Sequence, residues 1–158
     1  MEWQRELLLA LVGALGFALI FNVRKQLIFP ASFGGVLCWG MYLLCVHFFA
    51  MNSFYAALMA SACTALYAEF VARILGTPAT GIYIPSIVPL IPGSGLYYMM
   101  SSVVQQQWLE ATHYGVDTLK CVLGIGAGMS VVCAPFEMWG KVKQYYRMRL
   151  PKEKFRRD

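Results

Sequence analysis

The sequence predicts an all-α integral membrane protein of five transmembrane helices, the fourth broken at a Pro-Gly-Ser-Gly stretch, with the N-terminus outside and the C-terminus inside. Three observations carry this. Of 158 residues, 59% are hydrophobic and 13% are charged, against roughly 25% charged in soluble domains, and the mean hydropathy is +0.57. Apolar runs near the roughly 20 residues a span needs recur five times, at 7–23, 27–49, 54–75, 80–104 and 118–139. Charge, finally, is sorted by loop. The stretch from Lys141 to Asp158 sums to +6 while the rest of the chain sums to −1.

The first run is flanked by Glu2, Arg5 and Glu6 before it and by Arg24-Lys25 after it. It lacks both a positive n-region and a small-residue cleavage site, so it is expected to stay in the mature protein as a span. Ala10, Gly13, Ala14, Gly16 and Ala18 give it a close-packing face. The basic pair Arg24-Lys25, Arg73 at the end of the third run, and the tail fall on one side if all five runs cross. That side is the cytoplasmic one. The opposite side holds Glu2, Glu6, the Met51-Asn52-Ser53 turn, Glu110 and Asp117, with Lys120 as the poor fit. Residues 1–140 thus read as the bundle and 141–158 as a basic cytoplasmic tail, suited to anionic lipid rather than nucleic acid.

In the third run Ser61, Ala65, Ala68 and Ala72 recur every three or four residues, and Met59, Leu66, Phe70 and Ile74 hold the other side. The small side is expected to face the bundle. Gly124 and Gly128, with Cys121 one turn earlier, give the fifth run a matching face. Glu69 flanks the small stripe near the cytoplasmic end. An i,i+4 pair with Arg73 is the structural reading; coupling to an ion or proton is the functional one.

The fourth run, IYIPSIVPLIPGSGLYYMM over residues 82–100, is the one that carries chemistry. Pro85, Pro89 and Pro92 each remove a backbone donor, and Gly93 and Gly95 weaken the helix further. Irregular backbone at membrane depth is tolerated only inside protein or beside a water-filled cavity. If Ser94 caps a new half-helix from Leu96, that N-terminus carries about half a positive charge. Such an end binds anions, so Pro92, Gly93, Ser94 and Gly95 are expected to meet the carboxylate of a small metabolite. A proline-kinked span without a ligand is the alternative. Tyr97 and Tyr98 would add hydroxyls to the cavity or anchor at an interface.

Other chemistries find no support in the pattern. The five cysteines lack CxxC spacing and the two histidines form no HExxH. No nucleophile elbow, P-loop or dinucleotide fingerprint is present, so neither an enzyme nor a cofactor is expected.

Two stretches resemble the threonine/serine exporter family, and in particular its short subunit, similar to the small subunit of bacterial succinate exporters. GFALIFNVRKQLIFPASFGG (16–35) looks like the family's Phe-Asn-Val segment with the basic residues and Pro/Ala/Gly-rich span that follow. IVPLIPGSGLYYMM (87–100) looks like its Pro-x-x-Pro-Gly motif and following Tyr. The resemblance implies a secondary exporter of threonine/serine or of succinate-like dicarboxylates, in the bacterial inner membrane. It also implies a second membrane subunit of the same family, carrying the other five spans. An odd-span half reverses orientation, so two such halves would form an inverted repeat. By similarity Asn22, Pro89, Pro92, Gly93 and Tyr97 are substrate-binding candidates. A homo-oligomeric transporter or channel, and a non-transporting membrane scaffold, are the alternatives.

Overall fold

The computed structural model describes the backbone of residues 2–149 and the side chains of 3–136 and 138. Six α-helices and one 3-10 turn make up the described chain: α1 (Glu2–Ile20), α2 (Lys25–Phe49), α3 (Ser53–Leu75), α4 (Thr80–Ile87), the 3-10 turn Val88–Leu90, α5 (Gly93–Val104) and α6 (Trp108–Arg149). Four of the helices are long and apolar enough to cross a membrane. The bent pair Thr80–Leu90 and Gly93–Val104, whose halves differ in direction by 44°, passes the same test when taken together and makes a fifth if it is one span. At that angle α5 carries on in the sense of α4 rather than turning back. The all-helical membrane fold with a broken fourth span is therefore the observed one.

The element ends follow local chemistry. α3 stops at Gly76, which adopts φ 61°, and the Thr77 N–H returns to the Ala72 carbonyl at 2.9 Å. The α1–α2 turn puts Asn22 at φ 51°, a conformation asparagine tolerates better than most residues. One boundary departs from expectation. The loop placed between residues 104 and 118 shrinks to Gln105–Gln107, and α6 starts at Trp108. Nothing from Trp108 onward breaks a helix until Pro135, and the acidic and basic groups there pair along it. His113 and Lys120 lie 3.6 and 3.4 Å from the Asp117 carboxylate. The awkward Lys120 thus has its counter-ion on its own helix. Of the expected basic tail, the part to Arg149 continues α6, and 150–158 lies outside the described residues.

Packing runs through small side chains. Ser61, Ala65, Ala68 and Ala72 of α3 are buried, while Met59, Leu66, Phe70 and Ile74 are exposed, as the stripe predicts. α3 lies against α6, where a Cβ on Gly128 would collide with Ser61 Oγ and the Leu58 carbonyl, and one on Gly124 with the Phe54 carbonyl. The Ser61 hydroxyl reaches the Ile125 carbonyl at 3.2 Å, bridging the two helices. In α1 the face is narrower than expected. Ala10, Ala14 and Ala18 are buried, but a Cβ on Gly13 or Gly16 would meet nothing within 4 Å.

α2 is the hub of the remaining contacts, touching α1, α3, α4 and the 3-10 turn. On it Gly34 admits Ser86 of α4, and Gly35 admits Ala14 of α1. The fully buried Ser86 hydroxyl lies 2.8 Å from the Ala31 carbonyl and 2.7 Å from that of Ile82, fixing α4 to α2. α4 therefore sits among α2, α3 and α1, whereas α5 packs against α6.

Gly128→Val tests the α3–α6 seam. Forcing a branched side chain into a filled interface costs about 1–3 kcal/mol, so thermal unfolding in detergent should fall. Gly126→Ala, whose Cβ meets no atom within 4 Å, should leave it unchanged or slightly raised.

Candidate functional site

The break is built by three prolines. After α4 the chain tightens into the 3-10 turn, and the Ile91 N–H bonds the Val88 carbonyl at 3.1 Å. Ile91 is extended (φ −63°, ψ 123°), and Pro92, at φ −77° and ψ 61°, serves as the N-cap of α5. The Gly93 N–H turns back to the Ile91 carbonyl at 2.7 Å, and the Leu96 N–H reaches the Pro92 carbonyl at 3.2 Å. The Ser94 and Gly95 amides belong to the first turn, where a helix offers its donors no internal acceptor.

Two details correct the sequence reading. The half-helix begins at Gly93 rather than at Leu96, and Ser94 makes no capping hydrogen bond. The unwound interval is Ile91–Pro92, because Pro92 already has a φ suited to a helix start and its carbonyl opens the first turn. The two glycines are thus helical. They are also not sealed inside this chain: Gly93, Ser94, Leu96 and Tyr97 are exposed, so the break opens on the protein's flank.

Two contacts hold the break in place, and a cleft flanks it. The Cys121 thiol lies 3.8 Å from the Leu90 carbonyl, tying α6 to the 3-10 turn. Pro89 and Val88 border a cleft of about 330 Å³ whose other walls are α1 and α2. Gly95 rests on Thr118 of α6, whose hydroxyl oxygen would collide with any Cβ there. Thr118 is only 7% exposed, and its Oγ1 is buried without a hydrogen-bond partner. Such an orphan costs about 1–3 kcal/mol, and it sits at the first turn of α5.

The structure brings together Pro89, Pro92, Gly93, Ser94, Gly95 and Tyr97 along one broken span. Tyr97 is 69% exposed and its ring meets Tyr98 edge-on at 5.5 Å; Tyr98 in turn lies 5.5 Å from the Tyr114 ring. Asn22 stays apart in the α1–α2 turn, where its backbone conformation is what the fold uses. Glu69 also stays apart. Its carboxylate lies 3.7 Å from the Arg73 guanidinium, the i,i+4 pair its spacing predicts, and Arg73 stacks 4.4 Å above the Phe136 ring. Sequence reading missed Thr118 and Cys121 as members of the site. Cys121 was seen only as a packing residue, and nothing in a lone Thr at the start of an apolar run marks it.

The family model described as Threonine/Serine exporter, ThrE, matches residues 6–134. The chain belongs to that family. The match covers α1 through most of α6, including the whole of the broken span. It is a transporter family, so the chain is a multi-pass membrane protein of an exporter type. No solved structure matches the chain.

The contact under Gly95 separates two glycine substitutions two residues apart. Gly95→Ala should push α5 off α6 and destabilise the protein by about 1–3 kcal/mol. Gly93→Ala, with open space at its Cβ, should be neutral or stabilising by up to about 1 kcal/mol. Thermal unfolding of the two purified variants reads the difference.

Proposed function

We propose that the chain is one subunit of a secondary exporter for small carboxylate-bearing metabolites, threonine/serine or succinate-like dicarboxylates, with cargo received at the broken fourth span. The observation that carries this is the N-terminal turn of α5. Its Ser94 and Gly95 amides open beside a bend in the membrane span, where the helix end supplies about half a positive charge for a carboxylate. Thr118 supports the reading independently, since its buried, unpartnered hydroxyl faces the same turn. A shift of α5 that admits cargo would give that hydroxyl a partner. Pro89, Pro92 and Gly93 shape the break, and Tyr97 lies one turn further on.

The exposure of the break supports a second membrane subunit. Open amides at membrane depth cannot face acyl chains. Another five-span subunit of the same family, set against α5, would enclose the break and give the cargo a sealed site. Asn22 at the α1–α2 turn and Glu69 in α3 complete the proposed machinery, with Glu69 as the ion-coupling group. We place the N-terminus outside and the C-terminus inside a bacterial inner membrane, on the distribution of basic residues.

Metabolite efflux from cells expressing the chain with and without a second family subunit tests this. Export of serine, threonine or succinate is expected only with the pair; export by this chain alone would establish a homo-oligomer instead. Gly93→Val, which fits sterically but covers the amides, should lower flux about tenfold. Thr118→Val should lower flux while keeping or gaining about 1 kcal/mol of stability, since it removes an orphan hydroxyl. Full export by both variants would overturn the site. A Glu69→Gln protein that exports normally at every pH would leave Glu69 as a structural partner of Arg73.

A further inference from the structure

Glu6 is the ionisable group whose surroundings the exporter reading leaves unused. By sequence it belongs to the outer rim, but the structure sets it within the apolar span Trp3–Ile20. Its Oε2 accepts a hydrogen bond from the indole Nε1 of Trp39 at 3.3 Å. Trp39 lies about 15 Å along α2 from the Phe49 end, at 1.5 Å per residue. The carboxylate is half-buried, about one turn inside the outer end of the span. A carboxylate in a membrane span without a cationic partner among the described residues marks a path for an ion or substrate.

The cleft of about 330 Å³ opens beside it. Glu6, Gly13 and Phe17 form one wall, Trp39 a second, and Val88 and Pro89 of the broken span a third. Gly13 leaves room, since a Cβ there would meet nothing within 4 Å. Among the described residues Glu6 has no cationic partner, and no other lining side chain titrates. Arg5, next in sequence, lies exposed.

The donor set decides what cation would fit. A dehydrated metal ion needs several oxygen ligands, whereas this cleft offers one carboxylate, and no metal-holding group exists among the described residues. A primary ammonium fits better. The carboxylate accepts its N–H groups, and the Trp39 ring borders the same space. The volume matches that of small-molecule sites, roughly 300–1,000 Å³, so it holds a molecule rather than a proton alone.

We propose that the Glu6–Trp39 cleft binds the primary ammonium group of a small organic molecule. Trp39 is the positioning residue that orients the carboxylate, and Glu6 is the counter-ion. This deepens the exporter reading and rests on it for the nature of the cargo: Val88 and Pro89 join the cleft to the broken span.

Tryptophan fluorescence of the purified protein, titrated with ethylammonium, serine and glycerate, tests the site directly. Ethylammonium and serine should give a saturable change and glycerate none. The change should vanish in Trp39→Phe and shift to at least about tenfold weaker binding in Glu6→Gln. Gly13→Leu, which fills open space without a clash, should weaken it equally and guards against a folding defect in the first two. No saturable change with either ammonium probe, or Glu6→Gln binding within about twofold of the parent, overturns the proposal. In the efflux assay Glu6→Gln should lower serine export about tenfold while glycerate export stays within about twofold. Equal losses for both would also overturn it. Ammonium binding intact in a protein that exports neither compound would sink the exporter reading and leave this one standing.

Discussion

Three missing amide hydrogens govern this fold. Pro85, Pro89 and Pro92 fall in one span, and each would strand a carbonyl four residues earlier if the helix ran on. In hydrocarbon a stranded carbonyl has no water to turn to. At Pro92 the chain answers by giving the Val88 carbonyl to the Ile91 amide, which tightens the backbone to a 3-10 turn and bends the span by 44°. The Leu90 carbonyl meets the Cys121 thiol instead of a backbone donor of its own helix. Everything distinctive about the site follows from these substitutions of one acceptor's partner for another.

A bend of this kind is stable only if both halves are anchored, and they are anchored by different means. α4 is locked to α2 by a buried hydroxyl, Ser86, in a notch that Gly34 leaves open. α5 is held to α6 by the close approach of Gly95 to Thr118, without a hydrogen bond from the threonine hydroxyl. The first anchor is polar and specific; the second is steric and leaves a hydroxyl wanting. The weaker half is the one that presents its amides outward.

Much of the architecture was legible in the sequence. Small residues at helical spacing in α3 and the Gly124/Gly128 pair in α6 predicted the seam, because close approach of two backbones has few other chemical solutions. Pro-Pro-Pro spacing predicted the break itself. The place where helix resumes was not legible, since glycine favours no particular conformation, and it is Pro92 that sets the start. The Glu69–Arg73 pair followed from i,i+4 spacing, whereas Glu6–Trp39 and Gly95–Thr118 join distant parts of the chain. Neither pair leaves a local pattern. Glu6 reads as a rim charge, and its contact with Trp39 depends on the level of α1 against α2, which no residue in α1 encodes.

The length of α6 has a consequence outside the membrane. Its 42 residues measure about 63 Å along the helix, roughly twice the thickness of hydrocarbon. The apolar part, Trp108–Phe136, ends beside Pro135, and the helix then continues to Arg149. Those last turns extend past the apolar span. They belong to the same helix as Thr118 and Cys121, so the element that leaves the span is also the one that supports the break.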